Sequence, residues 1–249
     1  MRAPIVRVTL WLAFALHVLA GLYWALLSTP ESNALMLALS LLLIVVLLLG
    51  AGVALDVAVR LWTRGPIAVR RAELVLPAVR LLPALAVFGA VWWVADAAGA
   101  SVEASRGSIT GAIIARTGWA DPEAVFTAAR WLATLVAWVV GPLAALGLFG
   151  ALTRGVPVGA VRRWLAPALS WRALAVGALV VIALAWFWPL LEAWRPALPP
   201  TRIQLVFVAA KIAAGLTALA LAIGSFIRLA ALDPGPPPPR EPADQRRVA

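Results

Sequence analysis

Residues 34–59 read ALMLALSLLLIVVLLLGAGVALDVAV, and the first charged side chain in the run is Asp56. A helix rises 1.5 Å per residue. The uncharged stretch from Ala34 to Leu55 therefore makes a rod of about 33 Å, enough to cross a hydrocarbon core of about 30 Å. In that medium each backbone N–H and C=O needs a partner within the segment, which selects a helix. Five further stretches qualify, at 8–27, 81–98, 124–152, 172–194 and 202–232. The expected fold is all-α: a polytopic transmembrane helical bundle of six spans over 1–232, followed by a proline-rich, disordered tail at 233–249. Composition agrees, since 63% of the chain is hydrophobic and 13% charged, against about 45–50% and about 25% in an average soluble domain.

Arg2 and Arg7 precede the first span in the manner of a secretory signal. Its apolar run exceeds the usual 7 to 15 or so residues, so it reads as a retained helix. Arginine placement sets the expected orientation, because short cytoplasmic loops carry the basic excess. Segments 1–7, 60–80, 153–172 and 228–249 hold fifteen of the twenty-one basic residues, while the other side holds Arg106, Arg116, Arg130, Arg195 and Arg202. Both termini are then expected in the cytoplasm. Trp24, Trp92, Trp93, Trp119, Trp131, Trp186, Trp188 and Trp194 fall near the opposite interface, the headgroup level that indole rings prefer. The preference for Arg over Lys, with abundant Ala and Gly, fits a GC-rich bacterial genome and hence a bacterial inner membrane.

The basic segments resemble one another. Thr63-Arg64-Gly65-Pro66 leads to Ala68-Val69-Arg70-Arg71, and Thr153-Arg154-Gly155 leads to Ala160-Val161-Arg162-Arg163. Arg2-Ala3-Pro4-Ile5 echoes Arg64-Gly65-Pro66-Ile67 more faintly. Such spacing suggests three helix hairpins repeated in parallel orientation; recurrence of Arg-Gly-Pro loops through compositional bias is the competing explanation. Within 158–169, Val158, Val161, Leu165 and Leu169 share one stripe while Arg163 points away, as an interfacial helix requires. Residues 67–79 repeat this less cleanly. Through 60–98 and 150–190 the pattern of Arg-Gly, Ala-Val-Arg-Arg and an Arg-led apolar helix resembles bacterial repeat-hairpin membrane proteins related to the glycerophosphodiester phosphodiesterase membrane domain. No catalytic phosphodiesterase domain accompanies it, so the resemblance implies a membrane module without hydrolase activity.

Few residues can carry chemistry. The chain has no cysteine and one histidine, which excludes disulfides and thiolate metal sites. No phosphate-cradling loop, hydrolase triad or zinc motif appears. The net charge of +10 is spread between apolar runs and not along one polar surface, which argues against nucleic acid. No cofactor is expected.

Lys211 stands out, ten positions into the last span and expected about 15 Å deep, where ionisable groups are costly and often functional. Thr201, Gln204, Lys211, Gly215, Ala218, Ala222 and Ser225 share one helical face, opposite Val206, Ala213, Leu216, Ile223 and Ile227. His17 lies at similar depth in the first span; a hydrogen-bonded structural histidine is its simplest reading. Asp56, four residues before Arg60, reads as a helix-surface ion pair. Asp96 and Glu192 fall near outer ends. Asp121-Pro122-Glu123 reads as a helix start, with Asp121 as cap and Pro122 first in the helix. Gly141-Pro142 marks a kink in the fourth span, and Gly215 a close-packing site.

The leading functional expectation is a non-enzymatic inner-membrane module, a scaffold or a membrane subunit of a larger assembly, whose partners are membrane lipids and other membrane proteins. The alternative is a transporter or permease subunit for an anionic or lipid-like solute, motivated by Lys211, Gln204 and the helix-four kink. A lipid-acting enzyme ranks third, because His17 alone offers a base near neutral pH.

Overall fold

The computed structural model describes residues 3–29, 33–63, 75–119, 122–194 and 202–231, with side chains at 3, 4, 202, 203, 205 and 231 left out. Among these residues all regular structure is helical. Helix α1 spans Ala3–Leu27, α2 Ala34–Thr63 and α3 Val75–Ala104; α4, Arg106–Thr117, follows α3 after one residue. Helix α5, Glu123–Leu135, runs through a π-helical turn at Val136–Val140 into α6, Gly141–Thr153. Helices α7 (Val161–Leu169), α8 (Trp171–Ala193) and α9 (Arg202–Ala231) complete the chain. Six rods are long and apolar enough to span a membrane, each overlapping one expected span.

The rod from α5 to α6 is the hub. In its most apolar window 56% of residues are buried, against 6 to 17% in the other five. Small residues make that possible, because without a hydrophobic drive between helices in lipid, close backbone approach supplies the packing. A Cβ on Gly147 would collide with the Trp164 carbonyl of α7, and one on Gly52 would fall 2.7 Å from the Ala78 nitrogen of α3. At both positions only a glycine lets the neighbouring backbone come in.

The core lies toward one end. Val8, Leu12, Ala58, Val59, Leu81 and Phe149 close it together with Ala220 and Ile227. Leu148, Ala151, Trp164, Ala168, Ala173 and Phe226 form an adjoining cluster. These come from the start of α1, the end of α2, the start of α3, the end of α6, α7, the start of α8 and the C-terminal half of α9, so the arginine-bearing ends gather there. At the opposite end the bundle is looser, and the eight tryptophans of the expected outer band are all exposed.

Three expectations change in detail. Asp56 is buried, at 5% exposure, and its partners come from across the bundle as well as from Arg60, so the pair is not on a helix surface. Of the expected stripe, Val161 and Leu169 are exposed on α7, Val158 is exposed ahead of the helix and Leu165 packs on the core, and α7 is held to the bundle by Trp164, Pro167 and Ala168. Helix α5 starts at Glu123, with Pro122 preceding it and no side-chain cap. The segment 64–74, which carries the first repeat copy, Asp121 and the tail 232–249 lie outside the described residues.

Candidate functional site

Trp92, Asp96 and Glu103 recur on α3 at intervals of four and seven, one face of a helix. Arg130, Thr134 and Trp138 recur at four on the facing rod. Between the two faces lies a groove of about 420 Å³, lined by these six residues, within the range of about 300–1,000 Å³ typical of small-molecule sites. Its midsection is Gly99, Ala100, Ala133 and Ala137. Larger side chains there would fill the space.

The π turn shapes the groove. Pro142 has no N–H to give the Trp138 carbonyl four residues back, and its ring crowds that carbonyl. The ladder responds by shifting register: the Gly141 N–H donates to Val136, five residues back. The extra residue rotates the rod locally, and Trp138, inside the π turn, lines the groove. Where the sequence suggested a kink, at Gly141-Pro142, the rod carries a π turn, a device often found at functional sites. Phe88 meets Trp138 edge to face at 6.3 Å between centroids. Gly141 gives Phe88 its room, since a Cβ there would lie 3.1 Å from the Phe88 ring.

The open end carries a four-membered ion network. Arg106 bonds Glu123 and reaches Glu103 at 3.3 Å; Arg130 reaches Glu123 at 3.0 Å and Glu103 at 3.6 Å. Arg106 also lies 4.8 Å from the ring centroid of buried Phe126. These side chains are 37 to 55% exposed, so each pair contributes little stability, about 0–1 kcal/mol. Together they tie the start of α4 and α5 to the end of α3. Asp96 has no hydrogen bond or ion pair among the described residues.

The residues singled out from sequence lie elsewhere. Lys211 donates to the Glu192 carbonyl at 3.3 Å and lies 5.1 Å from the Phe207 ring centroid. Glu192 is in the last turn of α8, so the Lys211 ammonium reaches that helix end. The long Lys stem lets the ammonium meet carbonyls left open at a helix C-terminus. Gln204 is exposed. His17 is also exposed, and its Nδ1 lies 2.6 Å from the Ala13 carbonyl of its own helix. These contacts do not bring Lys211, Gln204 and His17 together. Gly215 seats Trp188, 3.4 Å from where its Cβ would be, as a packing glycine should.

No group of three or more His, Asp or Glu positioned for a metal occurs among the described residues. No family model, curated protein or solved structure matches the chain. Its function is therefore argued from the groove. Sequence reasoning used Trp92 and Arg130 only for orientation and did not name Glu103 or Trp138; the signal was there in two runs of helical spacing, 92-96-99-103 and 130-134-137-138, polar at one end and aromatic at the other.

Proposed function

We propose that the chain is a non-enzymatic, multi-pass module of the bacterial inner membrane, with both termini in the cytoplasm. It acts as a membrane subunit of a larger assembly and presents a recognition groove to the periplasm. The groove between α3 and the α5–α6 rod is the observation that carries this reading. A wall of small residues, an indole at the deep end on either side and an ion network at the mouth are features of a binding site. The arginine asymmetry supports the orientation. Exposed apolar side chains along α2 and α8, from Leu35 to Leu48 and from Val176 to Leu190, give lipid or partner helices a surface to cover. The resemblance to repeat-hairpin membrane proteins points to the same kind of module.

A cysteine-free chain makes the test direct. Single cysteines at Gly99, Gly107 and Gly159 are treated with a membrane-impermeant maleimide in intact cells. Labelling at 99 and 107 but not at 159 is expected. Labelling at 159 alone reverses the topology, and a silent position 99 beside a reactive 107 means that the groove is closed.

A transporter or permease subunit is the second reading, favoured by the π turn in the central rod, a feature frequent at functional sites. The Lys211 contacts give it less support than its sequence position did. Solute flux in proteoliposomes carrying the chain alone favours transport over the module reading.

A further inference from the structure

We propose that the groove binds an organic cation, an ammonium with N–H donors attached to an apolar or aromatic body, and that Asp96 is its counter-ion. The inference rests on the groove reading above and names its ligand class.

Charge comes first. Glu103 and Glu123 are paired with Arg106 and Arg130. Asp96, which also lines the groove, is offset by nothing among the described residues. Asp96 is exposed on the groove wall, so the site carries a carboxylate that a ligand can reach and that no cation among the described residues offsets. An anion would meet that charge as repulsion, and Arg130 cannot offset it because both glutamates already engage it.

Hydrogen bonding points the same way. Glu103 Oε1 is buried and accepts no hydrogen bond. Its nearest cation, Arg130 Nε, is 3.6 Å away, beyond hydrogen-bond length. Asp96, the exposed carboxylate of the groove, and Glu103 Oε1 are both acceptors without a hydrogen bond, so the complementary ligand donates. Seven residues of helix separate Asp96 from Glu103, about 10 Å. A longer ligand can place its ammonium at Asp96 and a second donor at Glu103.

The aromatic pair completes the match. Trp92, one turn from Asp96, and Trp138 across the groove both line it. Indole is the best aromatic partner for a cation and also receives an apolar body. The volume of about 420 Å³ accommodates a small arylalkylamine with bridging water.

The test uses the full chain in phosphatidylcholine nanodiscs, with benzylammonium as the probe and benzyl alcohol as its neutral counterpart, read by calorimetric titration. Benzylammonium should bind, and benzyl alcohol at least about tenfold more weakly. Asp96→Asn, which keeps size and shape, should reduce benzylammonium affinity by about tenfold without lowering the melting temperature; Asp96→Glu should keep most of it. Ala100→Trp, which fills the midsection, should abolish binding. Equal binding of alcohol and ammonium, or an unchanged affinity in Asp96→Asn, overturns the cation while leaving an apolar groove in place. Undiminished binding in Ala100→Trp puts the probe elsewhere and also overturns the proposal. Binding of neither probe, with cysteine 99 unreactive, removes the groove reading as well.

Discussion

Asp56 on α2 and Arg80 on α3 face each other inside the bundle, with 3.7 Å between carboxylate oxygen and guanidinium nitrogen. Arg60 closes on the other oxygen at 2.7 Å, and the Thr153 hydroxyl of α6 donates to the first at 3.4 Å. One carboxylate thus ties three rods at the arginine-rich end. Removing it takes from Arg80, about four-fifths buried, the carboxylate it faces, and weakens the hold on Arg60. Asp56→Asn is expected to destabilise the solubilised protein by about 3–5 kcal/mol. Arg80→Gln should cost less, because Arg60 continues to hold the carboxylate. Melting curves of the two variants check the order, and a neutral Asp56→Asn would mean that the cluster contributes nothing to the bundle.

Packing by glycine gives a second, sharper contrast. At Gly52 a Cβ would lie within 2.8 Å of the Pro77 and Ala78 backbone, whereas at Gly89 it would meet nothing within 4 Å. Backbone cannot swing aside as a side chain can, so Gly52→Ala must push α2 from α3. A loss of about 1–3 kcal/mol is expected, the usual cost of overpacking. Gly89→Ala should be neutral or slightly stabilising, since alanine is the better helix former. Similar melting temperatures for the two variants would show that α2 and α3 do not approach so closely.

How much of this could be read from the chain follows from what each feature depends on. The six rods were legible, because span length and backbone satisfaction are local properties of a run such as 34–55. The Asp56–Arg60 pair was legible too, as an i, i+4 spacing. Its burial was not, since Arg80 and Thr153 arrive from other helices and only the fold brings them. The groove was hidden for the same reason: Asp96 and Trp138 are forty-two positions apart, and each half of the pattern looks like an ordinary helix face. The Lys211 contacts were hidden too, because the Glu192 carbonyl comes from α8.

For Lys211 these contacts set the expected outcome of substitution. Its ammonium meets the backbone carbonyl of Glu192 and lies over the Phe207 ring, near a helix end. Such a contact contributes about 1 kcal/mol or less. Lys211→Met should therefore shift the melting temperature by only a few degrees and leave the oligomeric state intact, with Lys211→Arg closer to wild type. A large loss of stability or of partner retention in the Met variant, rescued by Arg, would restore Lys211 as a functional cation.

The last prediction joins Gly141 to the groove it does not line. A Cβ at this position would lie 3.1 Å and 3.3 Å from two atoms of the Phe88 ring, closer than ordinary contact, so Phe88 must yield by a few tenths of an ångström. Phe88 packs edge-on against Trp138, and Trp138 has little backbone freedom because the π turn fixes its place. The displacement is thus passed to the indole in the groove. Gly141→Ala should lower benzylammonium affinity severalfold while costing about 1 kcal/mol in stability. Phe88→Leu in the same background frees space and should recover part of the affinity. Calorimetric titration of the single and double variants measures this coupling; strictly additive effects would mean that Gly141 and Trp138 are not mechanically linked.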